Sequence, residues 1–184
     1  YNVRILDLLL WGTDPIGEWI DHPKLEVVKA DLRQIDKIVE SMRGMEAVIH
    51  LGGIVGDPAC SLDEDLTIDV NLAATRLIGE IARGEGVQRV LFASTCSVYG
   101  SGTDLLSETS ATTPLSLYAK TKLASEQVLM DMRDHEFAPV IFLFGTIFVF
   151  SWRPRLHLFV DLLPPAALRL GYFHVLRAFP LLPC

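Results

Sequence analysis

The chain has 184 residues, of which half are hydrophobic and about a fifth are charged, so we expect one globular domain with a sizeable core and not a disordered chain. Its net charge of -7 excludes the basic footprint that nucleic-acid binding needs. The three cysteines, Cys60, Cys96 and Cys184, contain no Cys-x-x-Cys pair, which argues against a disulfide framework and a zinc or other metal site and favours a reducing, cytoplasmic location.

Short apolar runs alternate with longer helical patterns along the chain. The apolar runs predict strands at residues 2–7, 24–31, 46–53, 88–94 and 139–144. Apolar residues at helical spacing predict helices at residues 33–44, 65–83 and 117–135. This alternation predicts an α/β fold: βαβ units in a parallel sheet, with helices on both faces and right-handed crossovers.

The most apolar segment, "FAPVIFLFGTIFVFSW" at residues 137–152, carries no charge. A membrane-spanning helix needs about 20 such residues, and this run is shorter and contains Gly145. We therefore favour a buried strand and its following loop over a membrane span, and we expect no membrane partner. The pattern from Ser151 to Cys184 is too weak to predict its elements.

The strongest chemical signal is "YAKTK", in which Tyr118 and Lys122 are four residues apart and so lie on one face of a predicted helix. A lysine ammonium beside a phenol favours the phenolate, which can act as a general base on a substrate hydroxyl. In "LFASTCSVYG", Thr95 ends a predicted strand, where a parallel α/β sheet opens into its crevice. Ser94 and Ser97 are interpreted as turn or supporting groups, and a solvated helix face is the alternative explanation of the Tyr–Lys spacing.

Six short motifs follow one another in the order "VRILD", "ADLRQ", "VIHLGG", "NLAAT", "STCSVYG" and "YAKTK". Together they resemble the extended short-chain dehydrogenase/reductases, and within them the NAD-dependent nucleotide-sugar epimerase/dehydratase group, from Tyr1 to about Gly145. The resemblance implies a Rossmann-like doubly wound sheet, with a partial NAD-binding domain at residues 1–150. Residues 151–184 are then the start of a substrate domain or a diverged tail.

The family's first strand and its GxxGxxG loop have no counterpart in this chain, because "VRILD" resembles the second strand of the family. The resemblance therefore implies a fragment without the first βα unit. That unit supplies a central strand of a doubly wound sheet, so we expect either a gap that another segment fills or a marginally stable chain.

The resemblance assigns cofactor contacts to residues after three strands. It implies that Asp7 accepts hydrogen bonds from the adenosine ribose and favours NAD over NADP, since a carboxylate repels a 2′-phosphate. Asp31 and Leu32 would lie beside the adenine. The backbone would approach the cofactor closely at Leu51, Gly52 and Gly53. The alternative for Asp7 is an ordinary turn acid, and for Asp31 it is the cap of the next helix.

The resemblance also implies a catalytic set of Thr95, Tyr118 and Lys122, in which Tyr118 and Lys122 additionally contact the cofactor. His50 is interpreted as a packed strand histidine, and Asn71 as a residue that holds local backbone. The implied function is an NAD-dependent nucleotide-sugar epimerase that acts through a keto-sugar, and a homodimer is left open.

Three alternatives to the epimerase remain. The family's dehydratases typically carry Asp-Glu after the threonine, whereas Cys96 and Ser97 occupy those places here, which argues against loss of water. A keto-sugar reductase would use the same three catalytic residues. A catalytically silent nucleotide-binding fragment is the alternative from a different class of protein.

Overall fold

The computed structural model describes residues 1–102 and 105–145. Its strands are β1 Val3–Asp7, β2 Leu25–Lys29, β3 Ala47–His50, β4 Arg89–Thr95 and β5 Ala138–Phe144. Its α-helices are α1 Ile35–Met42, α2 Asp57–Cys60, α3 Glu64–Ile68, α4 Ala74–Gly84 and α5 Leu117–Asp131. Each predicted strand and helix is present, and the α/β fold predicted from their alternation is confirmed. β4 is shifted by one residue, β5 begins one residue earlier than predicted, and the helix predicted at residues 65–83 is divided between α3 and α4. The other elements are shorter than predicted.

Two parallel sheets form among the described residues. In the first, β1 pairs with β2, so that Val3 lies opposite Leu25. In the second, β4 lies between β3 and β5, and Thr95 lies opposite Phe144 at one end. Within the described ranges no ladder joins β1 to β3. The sheet is therefore split into two and three strands, in agreement with the incomplete doubly wound fold that the sequence predicts.

The helices of the described residues cover one face of the three-stranded sheet. On that face β4 places Val90 and Phe92, which are both fully buried. The core cluster joins α1, α4 and β4 through Ile38, Met42, Ile78, Ala82, Val87, Val90 and Phe137. On the opposite face the side chains are exposed, as at Ile49 and Phe142.

This one-sided layer differs from the expectation of helices on both faces, and the handedness of the connections explains the difference. α4 and α5 link β3 to β4 and β4 to β5, which step across the three-stranded sheet in the same direction, so right-handed crossovers place both helices on one side. α1 joins the same core through Ile38 and Met42. The connection from β1 to β2 contains only the short 3₁₀ turn Asp14–Trp19.

The position of α5 depends on its start and on its contact with α4. Ser116 precedes α5, and its Oγ accepts a hydrogen bond from the Ala119 amide at 3.2 Å, which satisfies one of the free donors at a helix start. Gly79 of α4 lies so close to α5 that an added Cβ would be 2.8 Å from Leu129 Cδ2 and 2.9 Å from Met132 Sδ. A larger residue at position 79 would push the two helices apart.

The interpretation of residues 151–184 as a substrate domain or tail, and of the last part of the apolar run, lies outside the described residues. Within the part of the chain that the structure describes, no helix has the length and apolar character to cross a membrane.

Candidate functional site

Tyr118 and Lys122 meet the three-stranded sheet at the carboxyl end of β4. Lys122 is only 3% exposed, and its Nζ donates a hydrogen bond to the carbonyl oxygen of Ala93 at 2.9 Å. The same Nζ lies 4.6 Å from the ring centroid of Phe92 and 6.0 Å from that of Tyr118. The ammonium is thus held against the strand, next to the phenol ring, as the four-residue spacing predicts.

Burial of Lys122 disfavours its charged form. Burial is the largest influence and lowers the pKa of Lys122 to about 8, while Cys60 and Glu126 act in the opposite direction. At pH 7 the side chain remains an ammonium. A buried cation beside a tyrosine at the mouth of a parallel sheet is suited to holding a negative charge on the phenol oxygen.

Thr95 is the last residue of β4 and is 8% exposed. Its Oγ1 accepts a hydrogen bond from the Ser97 amide at 3.2 Å and donates to Ser97 Oγ at 3.1 Å. Thr95 therefore starts the 3₁₀ turn Cys96–Tyr99 and has a fixed side-chain position. This assigns Ser97 to the turn, in line with its interpretation as a turn group.

Ser94 has a partner that the sequence did not suggest. Its Oγ donates a hydrogen bond to Glu126 Oε1 of α5. Glu126 lies four residues after Lys122, so the helical spacing that united Tyr118 and Lys122 was an available signal for it. What the sequence could not show was that Ser94 faces this helix.

The segment after β3 brings the predicted cofactor residues to the same region. A Cβ added at Gly52 would lie 2.5 Å from Leu32 Cδ1. Gly53 has φ +155°, and a Cβ there would lie 2.9 Å from Asn71 Oδ1 and 3.8 Å from Lys122 Nζ. A side chain at Gly52 would require Leu32 to move, and the positive φ of Gly53 disfavours a side chain there. Bare backbone therefore forms the edge beside Lys122, which fits close approach by a cofactor. Leu51 is 66% exposed at this edge.

Asp7 and Asp31 lie at the carboxyl ends of β1 and β2. Asp7 is exposed, and its Oδ1 accepts a hydrogen bond from the Leu9 amide at 2.7 Å. Asp31 forms an ion pair with Arg33 at 2.7 Å, and this hydrogen-bonded partner lowers the pKa of the Asp31 carboxyl. Asp31 does not cap α1, because the N-cap residue of that helix is Gln34. Both carboxylates lie at the end of the two-stranded sheet, whereas Lys122 contacts β4 of the three-stranded sheet.

A buried network of polar side chains lies next to the site and contacts α5. The helix predicted from residue 65 is interrupted by a π-turn at Asp69–Ala73, and such π-turns frequently occur at functional sites. In this turn the carbonyl oxygen of Asn71 accepts hydrogen bonds from Thr75 Oγ1 at 2.6 Å and from Ser125 Oγ at 2.8 Å. The Asn71 side chain bonds both the amide, at 2.7 Å, and the carbonyl, at 2.9 Å, of Ile54. Asn71 therefore holds local backbone, as expected.

His50 belongs to the same network. Its Nε2 lies 2.9 Å from Thr75 Oγ1, and the single hydroxyl proton of Thr75 is donated to Asn71. The Nε2 atom must therefore carry a proton and act as the donor. Burial lowers the pKa of His50 to about 3, so the ring is neutral near pH 7. These contacts are those of a packed strand histidine.

The parallel strands and the helices that connect and cover them define a Rossmann-like α/β protein. The family model of the NAD dependent epimerase/dehydratase family matches residues 12–148. The chain belongs to this family, and NAD, the predicted cofactor, is the cofactor of the family.

Similar proteins agree with this assignment. The chain is 26% identical over 138 residues to the mouse sterol-4-alpha-carboxylate 3-dehydrogenase, decarboxylating, covering 73% of this chain and 35% of the relative. It is 30% identical over 112 residues to UDP-glucose 4-epimerase 4 of Oryza sativa subsp. japonica, covering 59% and 30%. The chain spans about a third of the length of these curated relatives.

Among solved structures, the UDP-glucuronic acid 4-epimerase from Bacillus cereus, in complex with UDP-glucuronic acid and NAD, matches with a TM-score of 0.77 and 23% identity. The match covers 84% of this chain and 52% of that epimerase. At this identity the likeness shows the Rossmann-like fold, in agreement with the sequence prediction.

Proposed function

We propose that the active protein containing this chain is an NAD-dependent nucleotide-sugar epimerase, with Thr95, Tyr118 and Lys122 as its catalytic residues. The observation that carries this proposal is the position of Lys122, which is buried, tied to Ala93 and 6.0 Å from the Tyr118 ring. An ammonium that is costly to bury and has a defined place beside a phenol is poorly explained as a solvated helix residue.

The chain's own residues would handle the proton of the reaction. Tyr118, as phenolate, takes the proton from a sugar hydroxyl and later returns it to the keto oxygen. Lys122 stabilises that phenolate by its charge and, as the family resemblance implies, bonds the nicotinamide ribose. Thr95 orients the reacting oxygen from the strand end. NAD, when bound, supplies the acceptor and then the donor of the hydride, and turning of the keto-sugar between the two transfers gives the epimer.

The residues after Thr95 support epimerisation over loss of water. Cys96 and Ser97 begin a 3₁₀ turn, and the Ser97 amide and hydroxyl both bond Thr95. Neither side chain is a carboxyl group that could supply acid and base for dehydration. The nearby Glu126 is engaged by Ser94.

A second candidate is an oxidoreductase that keeps the hydride on its cofactor. The similarity to a relative named as a sterol-4-alpha-carboxylate 3-dehydrogenase favours it, since oxidation of a hydroxyl needs the same three catalytic residues. Net reduction of NAD⁺ separates this reaction from epimerisation, which returns the hydride to the sugar.

The cofactor half of the proposal assigns the ribose to Asp7, the adenine to Asp31 and Leu32, and close backbone contact to Leu51, Gly52 and Gly53. The exposed Asp7 carboxylate at the end of β1 supports a preference for NAD. The low cysteine content and the absence of a Cys-x-x-Cys pair in the sequence support a reducing, cytoplasmic compartment.

The test uses the longest natural protein that contains this chain, with NAD⁺ and a panel of UDP- and dTDP-sugars, and follows epimer, water loss and NADH. Tyr118→Phe should lower kcat by roughly 10²–10⁴, and Lys122→Met should act similarly. Thr95→Ala should cost less, because it orients the substrate and takes no proton. The matched controls are Tyr1→Phe and Lys120→Met, both at exposed positions.

The product that forms distinguishes the three possible reactions. An epimer without lasting NADH supports the proposal. A 4-keto-6-deoxy sugar would establish a dehydratase instead, and stoichiometric NADH would establish the oxidoreductase. Full activity of Tyr118→Phe would refute the mechanism itself.

A further inference from the structure

α5 carries a third polar side chain in line with the catalytic pair. Tyr118, Lys122 and Glu126 follow each other at intervals of four residues, so they lie along one side of the helix. The last two each bond β4, Lys122 through the Ala93 carbonyl at 2.9 Å and Glu126 through the Ser94 hydroxyl. Two successive turns of the helix are thus tied to two successive residues of the strand, just before Thr95.

We propose that Glu126 is a positioning residue for Lys122: through Ser94 it fixes α5 against the carboxyl end of β4, and its negative charge keeps the buried lysine in its ammonium form. The catalytic importance of this positioning role rests on the proposed function. It concerns residues of the chain alone and can be tested without substrate.

The charges around Lys122 single out Glu126. From α2, Cys60 has a pKa raised by burial, so its thiol is neutral at pH 7. From β3, His50 is neutral because burial lowers its pKa to about 3. From the 3₁₀ turn after β4, Tyr99 has a pKa raised by burial and is also uncharged. Of the described groups that raise the pKa of Lys122, Glu126 is the only carboxyl group.

The coupling between the two side chains runs in both directions. Burial raises the pKa of Glu126, while the Ser94 hydrogen bond and the charge of Lys122 lower it. The described residues contain no direct ion pair between Glu126 and Lys122. The charges therefore act on each other across the strand end, where the burial of Lys122 limits screening by solvent on its side of the pair.

The hydrogen bonds have a separate, mechanical role. Catalytic groups lose much of their effect when they are displaced by about 1 Å. A helix tied to the strand at Ala93 and Ser94 cannot slide or rotate without breaking one of the two bonds. Glu126 thus fixes the distance between the Tyr118–Lys122 pair and Thr95, although it touches none of the reacting atoms.

The test is an NMR titration of this chain with isotope-labelled lysine side chains, from neutral to alkaline pH. Glu126→Gln keeps an acceptor for Ser94 and removes the charge, and we expect the pKa of Lys122 to fall below its value of about 8. The control is Glu80→Gln, which removes an exposed carboxylate from α4 that pairs with Arg76. An unchanged pKa of Lys122 in Glu126→Gln would overturn the proposal.

The reverse measurement covers the case in which Glu126→Gln does not fold. Coupling is reciprocal, so Lys122→Met should raise the pKa of the Glu126 carboxyl, observed through its labelled side-chain carbon. A Glu126 pKa that is the same with and without Lys122 would equally reject the proposal. Coupled titrations in a protein without epimerase activity would support the positioning role and reject only the proposed reaction. Independent titrations of Lys122 and Glu126 in an active epimerase would reject the positioning role and leave the proposed reaction supported.

Discussion

Lys122 should make the stability of the fold depend on pH in a direction opposite to that of ordinary surface lysines paired with acids. In the folded chain burial lowers its pKa from 10.5 to about 8. Below pH 8 the side chain is charged in both states, and the folded state carries the full cost of burying the ammonium. At roughly 1.4 kcal/mol per pH unit, that cost is about 3 kcal/mol.

The sign follows from proton binding. Between pH 8 and pH 10.5 the unfolded chain holds the Lys122 proton more tightly than the folded chain does. The free energy of unfolding therefore rises with pH over this window, as the buried lysine becomes neutral. Lys122→Met removes the titrating group and keeps an unbranched apolar side chain in its place.

The assay is urea unfolding followed by far-ultraviolet circular dichroism at several pH values from neutral to about 10. The free energy of unfolding of the unchanged chain minus that of Lys122→Met should increase by about 2.5 kcal/mol as the pH rises over this range. Burial raises the pKa of the Cys60 thiol and lowers the stability of the fold on the alkaline side, and this effect of burial is common to both proteins and cancels in the difference. Only the interaction of Cys60 with Lys122 itself remains in the difference. Lys120→Met, at an exposed position on the same helix, should give a flat difference.

A flat difference for Lys122→Met would refute the reasoning, because it would mean that the ammonium is hydrated in solution. A difference that falls with pH would be a stronger contradiction, since it would show that the fold stabilises the charged form.

Two further predictions concern other parts of the chain. Replacing Asp7 by Ala in the active protein should narrow its preference for NAD over NADP, because removal of the carboxylate removes the repulsion of a 2′-phosphate. The ratio of the dissociation constants of NADP and NAD measures this preference. Equal affinities for the two cofactors before the substitution would show that Asp7 has no such role. Gly79→Leu should lower the free energy of unfolding by about 1–3 kcal/mol through overpacking, because the side chains of Leu129 and Met132 occupy the space next to Gly79. Gly84→Leu, at a position open to solvent, is the control and should cost less in the same urea experiment.

Periodicity was sufficient to predict the order of the elements, because each strand and helix has one apolar side that must be buried. It also predicted that Tyr118 and Lys122 share a helix face, since that depends only on spacing along one element. Pairings between elements have no such signal. The bond from Ser94 to Glu126 and that from Asn71 to Ile54 depend on how α5 and the π-turn pack.

The π-turn itself shows a second limit of the sequence. An extra residue in the turn at Asp69–Ala73 barely disturbs the apolar pattern, so the sequence predicts one continuous helix. In the structure that turn makes the Asn71 carbonyl available to Ser125 of α5. The side chain of Asp31 is a similar case, because a short-range ion pair with Arg33 competes with the capping role that the sequence allows.

The split of the sheet divides the predicted site into two halves with different supports. Tyr118, Lys122 and Thr95 rest on β4 and α5, which pack against α4 through Val90 and Leu129. Asp7 and Asp31 rest on the two-stranded sheet, which has no ladder to β3. Leu32 lies against the Gly52 backbone and Arg4 donates to the Ser41 carbonyl of α1 at 3.0 Å, so side chains bring the halves together.

This division determines what each experiment can detect. The titrations of Lys122 and Glu126 depend on the three-stranded half, so they should be insensitive to substitutions at Asp7 or Asp31. Under the proposed assignment, binding of NAD needs both halves, because the ribose and nicotinamide contacts that we propose lie on different sheets. Cofactor affinity should therefore respond to Arg4→Ala, which removes the bonds to the end of α1, while the pKa of Lys122 should not. If Arg4→Ala moved the pKa of Lys122, the two halves would be one cooperative unit and the catalytic arrangement would depend on the whole sheet.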